Sequence, residues 1–160
     1  MWTAAIACTA LAALMCAVAA PAAPVPRIEQ QRIVASFGRT LLPTWLPPGF
    51  IYSRWITQPG SAGAFPDTLI VDFGRHGALL EWAVESTADP DSVTHYHCKP
   101  GAPPLGKIFR IGSRKIVYAT GARGADATLC MGKIAVVAWT AGPMPGSTLA
   151  RFAASAQTVG

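Results

Sequence analysis

The chain has 160 residues, 51% of them hydrophobic and only 13% charged, with a net charge of +5. This apolar content excludes an intrinsically disordered chain, and the length suits one domain. Lys and Arg stand singly except at Arg114-Lys115, with no basic stripe interleaved with aromatics, so no nucleic-acid partner is expected.

From Trp2 to Ala23 no residue is charged, and the run A-A-I-A-C-T-A-L-A-A-L-M-C-A-V-A-A has the length and small-residue grain of a signal-peptide core. Ala17-Val18-Ala19 and Ala20-Pro21-Ala22 both fit a small-x-small cleavage pattern, although the leading Met-Trp-Thr carries no basic residue. The expectation is a signal peptide over 1–22, cleaved after Ala19 or Ala22, followed by one domain over 23–160 in a secreted or periplasmic protein. If it stayed uncleaved, about 20 apolar residues could span a bilayer, the one membrane contact expected. Cleavage removes Cys8 and Cys16 and leaves an even pair, Cys98 and Cys130, which in an exported protein is expected to form a disulfide.

The segment R-I-E-Q-Q-R-I-V-A-S-F-G predicts a short amphipathic helix ending at Gly38. Pro43, Pro47, Pro48 and Gly49 then forbid a continuing helix, so Leu42 to Phe50 reads as an apolar lead-in to a strand. F-I-Y-S-R-W-I-T, T-L-I-V-D-F-G and A-L-L-E-W-A-V-E-S follow with period two. In the last of these Ala78, Leu80, Trp82 and Val84 face one way and Glu81 and Glu85 the other, as in a sheet with one buried and one wet face.

Gly74 to Gly77 reads as a hairpin turn, T-A-D-P-D-S as a turn and V-T-H-Y-H-C as a short strand. After a Pro-rich loop come two strand pieces around Gly112-Ser113 and a hairpin around Gly132. Near the C-terminus, Ser147 or Thr148 is expected to cap a helix with Leu149, Phe152, Ala153 and Ala156 on one face. The sum is α+β: an antiparallel twisted sheet of five to seven strands, with an N-terminal and a C-terminal helix packed on one face.

The lead-in Leu42 to Phe50, the segment Gly112 to Tyr118 and the closing S-T-L-A-R-F-A-A-S-A together resemble a family of small exported bacterial envelope domains of unknown function. Such domains are often carried behind anti-sigma-factor-like or lipoprotein-sorting-like segments. The resemblance covers about residues 42 to 158, and this chain departs from it in the Cys98/Cys130 pair, the His-rich segment and the long 98–107 loop. It implies an extracytoplasmic, non-catalytic, ligand-sensing module and supplies no catalytic residues.

Three constellations invite chemistry. On a strand, His95 and His97 would share a face about 7 Å apart, and could hold Zn²⁺ or Cu²⁺ if a third ligand such as His76 arrived; Cys98 would face away. Glu81 and Glu85, about 13 Å apart along one strand, are better read as a wet face than as a glycosidase pair. Trp45 and Trp55 are candidates for ligand contact, although most tryptophans of so short a chain belong to its core.

No G-x-S-x-G elbow or phosphate-cradling loop occurs. The expected function is therefore a non-enzymatic binding or sensing module without a cofactor. Its ligand is unknown, and the partner is expected to be an envelope protein or an anionic cell-surface polymer. The alternatives are a small metal protein or enzyme using His95 and His97, and a structural component held on an anionic polymer.

Overall fold

The computed structural model describes residues 23–60, 66–89, 93–101 and 105–160; the expected signal peptide lies outside them. Helix α1 (Arg27–Phe37) leads into strand β1 (Thr40–Pro43). Three long strands follow, β2 (Ile51–Gln58), β3 (Thr68–Arg75) and β4 (Ala78–Ser86), then helix α2 (Val93–His97). The meander β5 (Lys107–Ile111), β6 (Arg114–Gly121), β7 (Gly124–Met131) and β8 (Ile134–Thr140) precedes helix α3 (Gly146–Ala154) and strand β9 (Ala156–Val159).

The main sheet is antiparallel with strand order β2-β3-β4-β8-β7-β6-β5, and β1 pairs β9 in a separate two-stranded sheet. Among the described residues, three of the four two-residue hairpin turns form where the chain supplies positive φ: His76 (φ 41°) and Gly77 (φ 80°) make one, and Gly112 and Gly132 open two others, while Ala122-Arg123 between β6 and β7 has positive φ at neither residue. His76, and not Gly74, takes the first left-handed position, because Gly74 is already in β3.

One face of the sheet carries the main core. Leu69, Val71 and Phe73 of β3, Leu80, Trp82 and Val84 of β4, and Val136 and Ala138 of β8 are buried there with Leu149 and Phe152 of α3. Phe152 meets both Phe73 and Trp82 edge-on, at 5.7 and 5.1 Å. The helix α3 lies across β5 to β8. It opens after Pro145, and neither Ser147 nor Thr148 makes the expected capping bond. Pro at that point pre-sets φ and gives up no helical hydrogen bond.

The chain then ends in β9, whose pairing with β1 turns the lead-in into a strand. This adds a two-stranded ribbon to the expected α+β architecture.

The helix α1 sits over β2 by a different means. Its Ile33 is fully buried in the main core. Its Glu29 pairs with Arg32 at 2.7 Å and accepts from the Trp55 indole at 3.1 Å and the Tyr52 hydroxyl at 3.3 Å. Burial first, then the Glu29 carboxylate, push the Tyr52 phenol up to about 12. Tyr52 and Trp55 both face inward because the β2 register slips between Tyr52 and Arg54, and this bulge cancels the opposition that strict period-two alternation would give the two side chains.

The opposite face holds a small apolar cluster of Ile70, Ala83 and Val137, and α2 packs there against β7 and β4. Val93–His97 is thus a helix where alternation predicts a strand. It is fastened at both ends, with the Thr94 hydroxyl donating to the Ser86 carbonyl at 3.3 Å and Cys98 bonded to Cys130. Among the described residues no helix is long and apolar enough to cross a membrane.

Candidate functional site

The second face is also where the chemistry-bearing residues collect. The Cys98–Cys130 disulfide joins the end of α2 to β7, with Cα atoms 5.6 Å apart. Beside it lies a cleft of about 490 Å³ whose lining includes His97, Lys99, Ser113, Arg114, Lys115 and the two cysteines. The β5–β6 register sets Arg110 directly opposite Lys115, two like charges on the face that bears the cleft. Arg114, its neighbour, turns to the other face, where its guanidinium donates to the carbonyls of Ala154 and Ala156 and clamps the end of α3.

This gathering follows from the chain's charge distribution once it is folded. From Cys98 to Lys133 there are seven Lys and Arg residues and one acid, Asp126, whereas the rest of the chain holds six cations and seven acids. The cations look scattered in sequence because β5 and β6 carry two each, Lys107 and Arg110, Arg114 and Lys115, while Lys99, Arg123 and Lys133 stand in a loop and two turns. Antiparallel pairing sets Arg110 and Lys115 side by side.

Asp126 itself lies under α2. Its Oδ2 is 3.9 Å from His97 Nδ1, and both atoms, like His95 Nδ1, are buried without a hydrogen-bond partner among the described residues. Burial raises the Asp126 carboxyl, with His97 opposing. The helix undoes the expected strand geometry of His95 and His97. Only His97 lines the cleft, while His76 stands in the β3–β4 turn. Among the described residues no three His, Cys, Asp or Glu side chains come together as a set that could hold a metal ion.

Trp45 is half-buried beneath the Arg151 guanidinium, 4.4 Å from its ring centre, and Trp55 is tied to Glu29. Both therefore stand away from the disulfide cleft. A second cleft of about 490 Å³, mostly apolar, lies between Phe37 and Thr40 on one side and Val84, Thr87 and Ile134 on the other, with Arg39, Asp67, Glu85 and Lys133 also in its lining.

The carboxylates of β4 are not the open, wet pair that alternation suggests. Glu81 is half-buried and sits directly opposite Asp72, which Arg54 holds at 2.7 Å. Burial first, then Asp72 and Glu85, raise the Glu81 carboxyl. The resulting penalty is absent below the ordinary carboxylate pKa and complete above the raised folded value. Glu81→Gln should therefore raise stability at pH 7 by up to about 1 kcal/mol. The gain should fade as pH falls through that window, as thermal melts at pH 7 and at about pH 4 would register.

No protein-family model matches the chain, and no curated protein does. Among solved structures it is similar to a chain in the complex structure of Pseudomonas aeruginosa MucA/MucB, at 18% identity over 73% of this chain and 34% of that one, with a TM-score of 0.41. It is similar to the same degree to a chain in the crystal structure of MucB in complex with MucA(peri), at 18% identity over 73% of this chain and 36% of that one, TM-score 0.41. The matched region thus spans about a third of the length of those chains. A likeness of this size bears on neither activity nor partner.

Proposed function

We propose that this chain is a non-catalytic binding module acting outside the cytoplasm, and that its partner is anionic and docks at the basic end of the sheet. One observation carries the reading: the stretch from Cys98 to Lys133 holds seven cations against one acid, while the remainder of the chain is slightly acidic. Of these cations, Lys99, Arg114 and Lys115 line the cleft, Arg114 with its guanidinium already engaged by the carbonyls of Ala154 and Ala156, and Arg110 stands beside Lys115. Like charges placed across a strand pair cost stability, and a net anion between them reverses that cost. The disulfide and the N-terminal apolar run support an extracytoplasmic setting.

The test is a salt series. Fluorescence anisotropy with labelled polyglutamate and labelled polyphosphate should show affinity for at least one of them. That affinity should fall roughly tenfold as the ionic strength shortens the screening length below about 10 Å. Binding to neither anion, or binding indifferent to salt, would remove the basis of the reading.

A further inference from the structure

We infer that the anionic partner is an acidic protein segment that adds, in extended form, to the outer edge of β5. This rests on the reading that the basic end takes an anion, and goes further by naming the partner's class and its mode of attachment. The strand β5 is the last of the seven-stranded sheet and pairs with β6 alone. Among the described residues no other backbone hydrogen-bonds to its free edge.

The turn between β5 and β6 has two residues, Gly112 and Ser113, so Ile111 and Arg114 form the closing hydrogen-bonded pair. Alternation then turns the N–H and C=O of Ile108 and Arg110 outward, as open ladder positions. Ile108 is 40% exposed beside them and offers an apolar contact.

Charge selects what pairs there. Arg110 and Lys115 lie on one face of the strand pair, and Lys107, over the Phe109 ring at 5.0 Å, on the other. An added strand thus meets cations on both faces. Asp126, the one acid of this stretch, is on β7, two strands in.

Edge charges of one sign keep a sheet from pairing with its own copies. The same charges favour an acidic strand, whose backbone satisfies the open positions while its carboxylates meet the cations. The opposite edge is a poorer template, since β2 is bulged near Ser53 and its Arg54 is already engaged by Asp72. A phosphate-bearing polymer could use the cations but has no N–H and C=O ladder to offer the edge.

The experiment compares an alternating Glu–Val peptide with a polyphosphate of similar charge, on the unaltered protein and on Ile108→Pro and Ile108→Ala. Proline at this position removes an outward N–H and leaves the β5–β6 bonds in place. The peptide should bind Ile108→Pro at least tenfold more weakly than Ile108→Ala, with polyphosphate affinity the same for both. Because proline could also unsettle the strand, the peptide is in addition N-methylated on alternate residues, one parity at a time. Methylation of one parity should weaken binding about tenfold and of the other hardly at all. Polyphosphate binding without peptide binding, or peptide binding indifferent to the proline and to the methylation parity, would overturn strand addition and leave the anionic site standing. Binding of neither would overturn both.

Discussion

Replacing Cys98 and Cys130 together by serine is expected to lower the free energy of unfolding by roughly 3 to 4 kcal/mol, the loop-closure value for a bridge of this span. The two residues are 32 apart in sequence, and the bridge fastens α2 to β7. A helix of five residues has no stability of its own in water. Without the bridge, α2 is held by the bond from Thr94 to Ser86 and by the packing of its residues on β7 and β4. Urea unfolding of the double variant should therefore show a lower midpoint with a similar slope. Amide exchange should accelerate most over 93–101, the segment that walls the cleft. A variant with an unchanged midpoint would mean that the bridge closes nothing the fold does not already close.

Trp82→Ala should cost about 3 to 5 kcal/mol, the range for deleting a large aromatic from a core. Trp82 is fully buried at the centre of β4, edge-on to Phe152 of α3, and its indole N–H donates to the Leu41 carbonyl of β1 at 3.1 Å. One side chain thus joins the sheet, the C-terminal helix and the small ribbon. Trp82→Phe keeps most of the volume but strands the Leu41 carbonyl, and should cost about 1 to 3 kcal/mol. Since domains of this size are stable by only about 5 to 15 kcal/mol, the alanine variant should sit near the edge of folding at 37 °C. Equal melting temperatures for Trp82→Phe and the unaltered protein would show that the bond to Leu41 contributes nothing.

What the sequence discloses and what it hides divides along physical lines. The turns at Gly77, Gly112 and Gly132 are legible because glycine supplies the positive φ that these turns adopt. The core face of β4 is legible because alternation over nine residues is strong. The pairing of Cys98 with Cys130 needs only the count of cysteines that remain after the expected cleavage.

By contrast, β1 and β9 are four residues each and pair from opposite ends of the chain, so neither carries a periodic signal. A one-residue slip in β2 puts Tyr52 and Trp55 on the same side, and no pattern of residue types announces such a slip. Helix α2 is too short for its period to show, and its position is set by contacts distant in sequence. The basic end is hidden for a related reason. Arg110 and Lys115 meet only through the register of a hairpin, and their closeness is a property of pairing rather than of spacing.

Under the proposed function, the location of the cations, not their total, makes this chain bind an anion. The most direct measurement compares two triple variants of equal net charge. One neutralises the cleft and its border, Lys99→Gln, Arg110→Gln and Lys115→Gln. The other neutralises exposed cations elsewhere, Arg27→Gln, Arg32→Gln and Arg39→Gln. Anisotropy titrations with the same acidic peptide at low salt should show a loss of at least about tenfold for the first triple variant and less than about twofold for the second. Equal losses in both would contradict the account, because the chain would then be attracting anions through its overall charge alone.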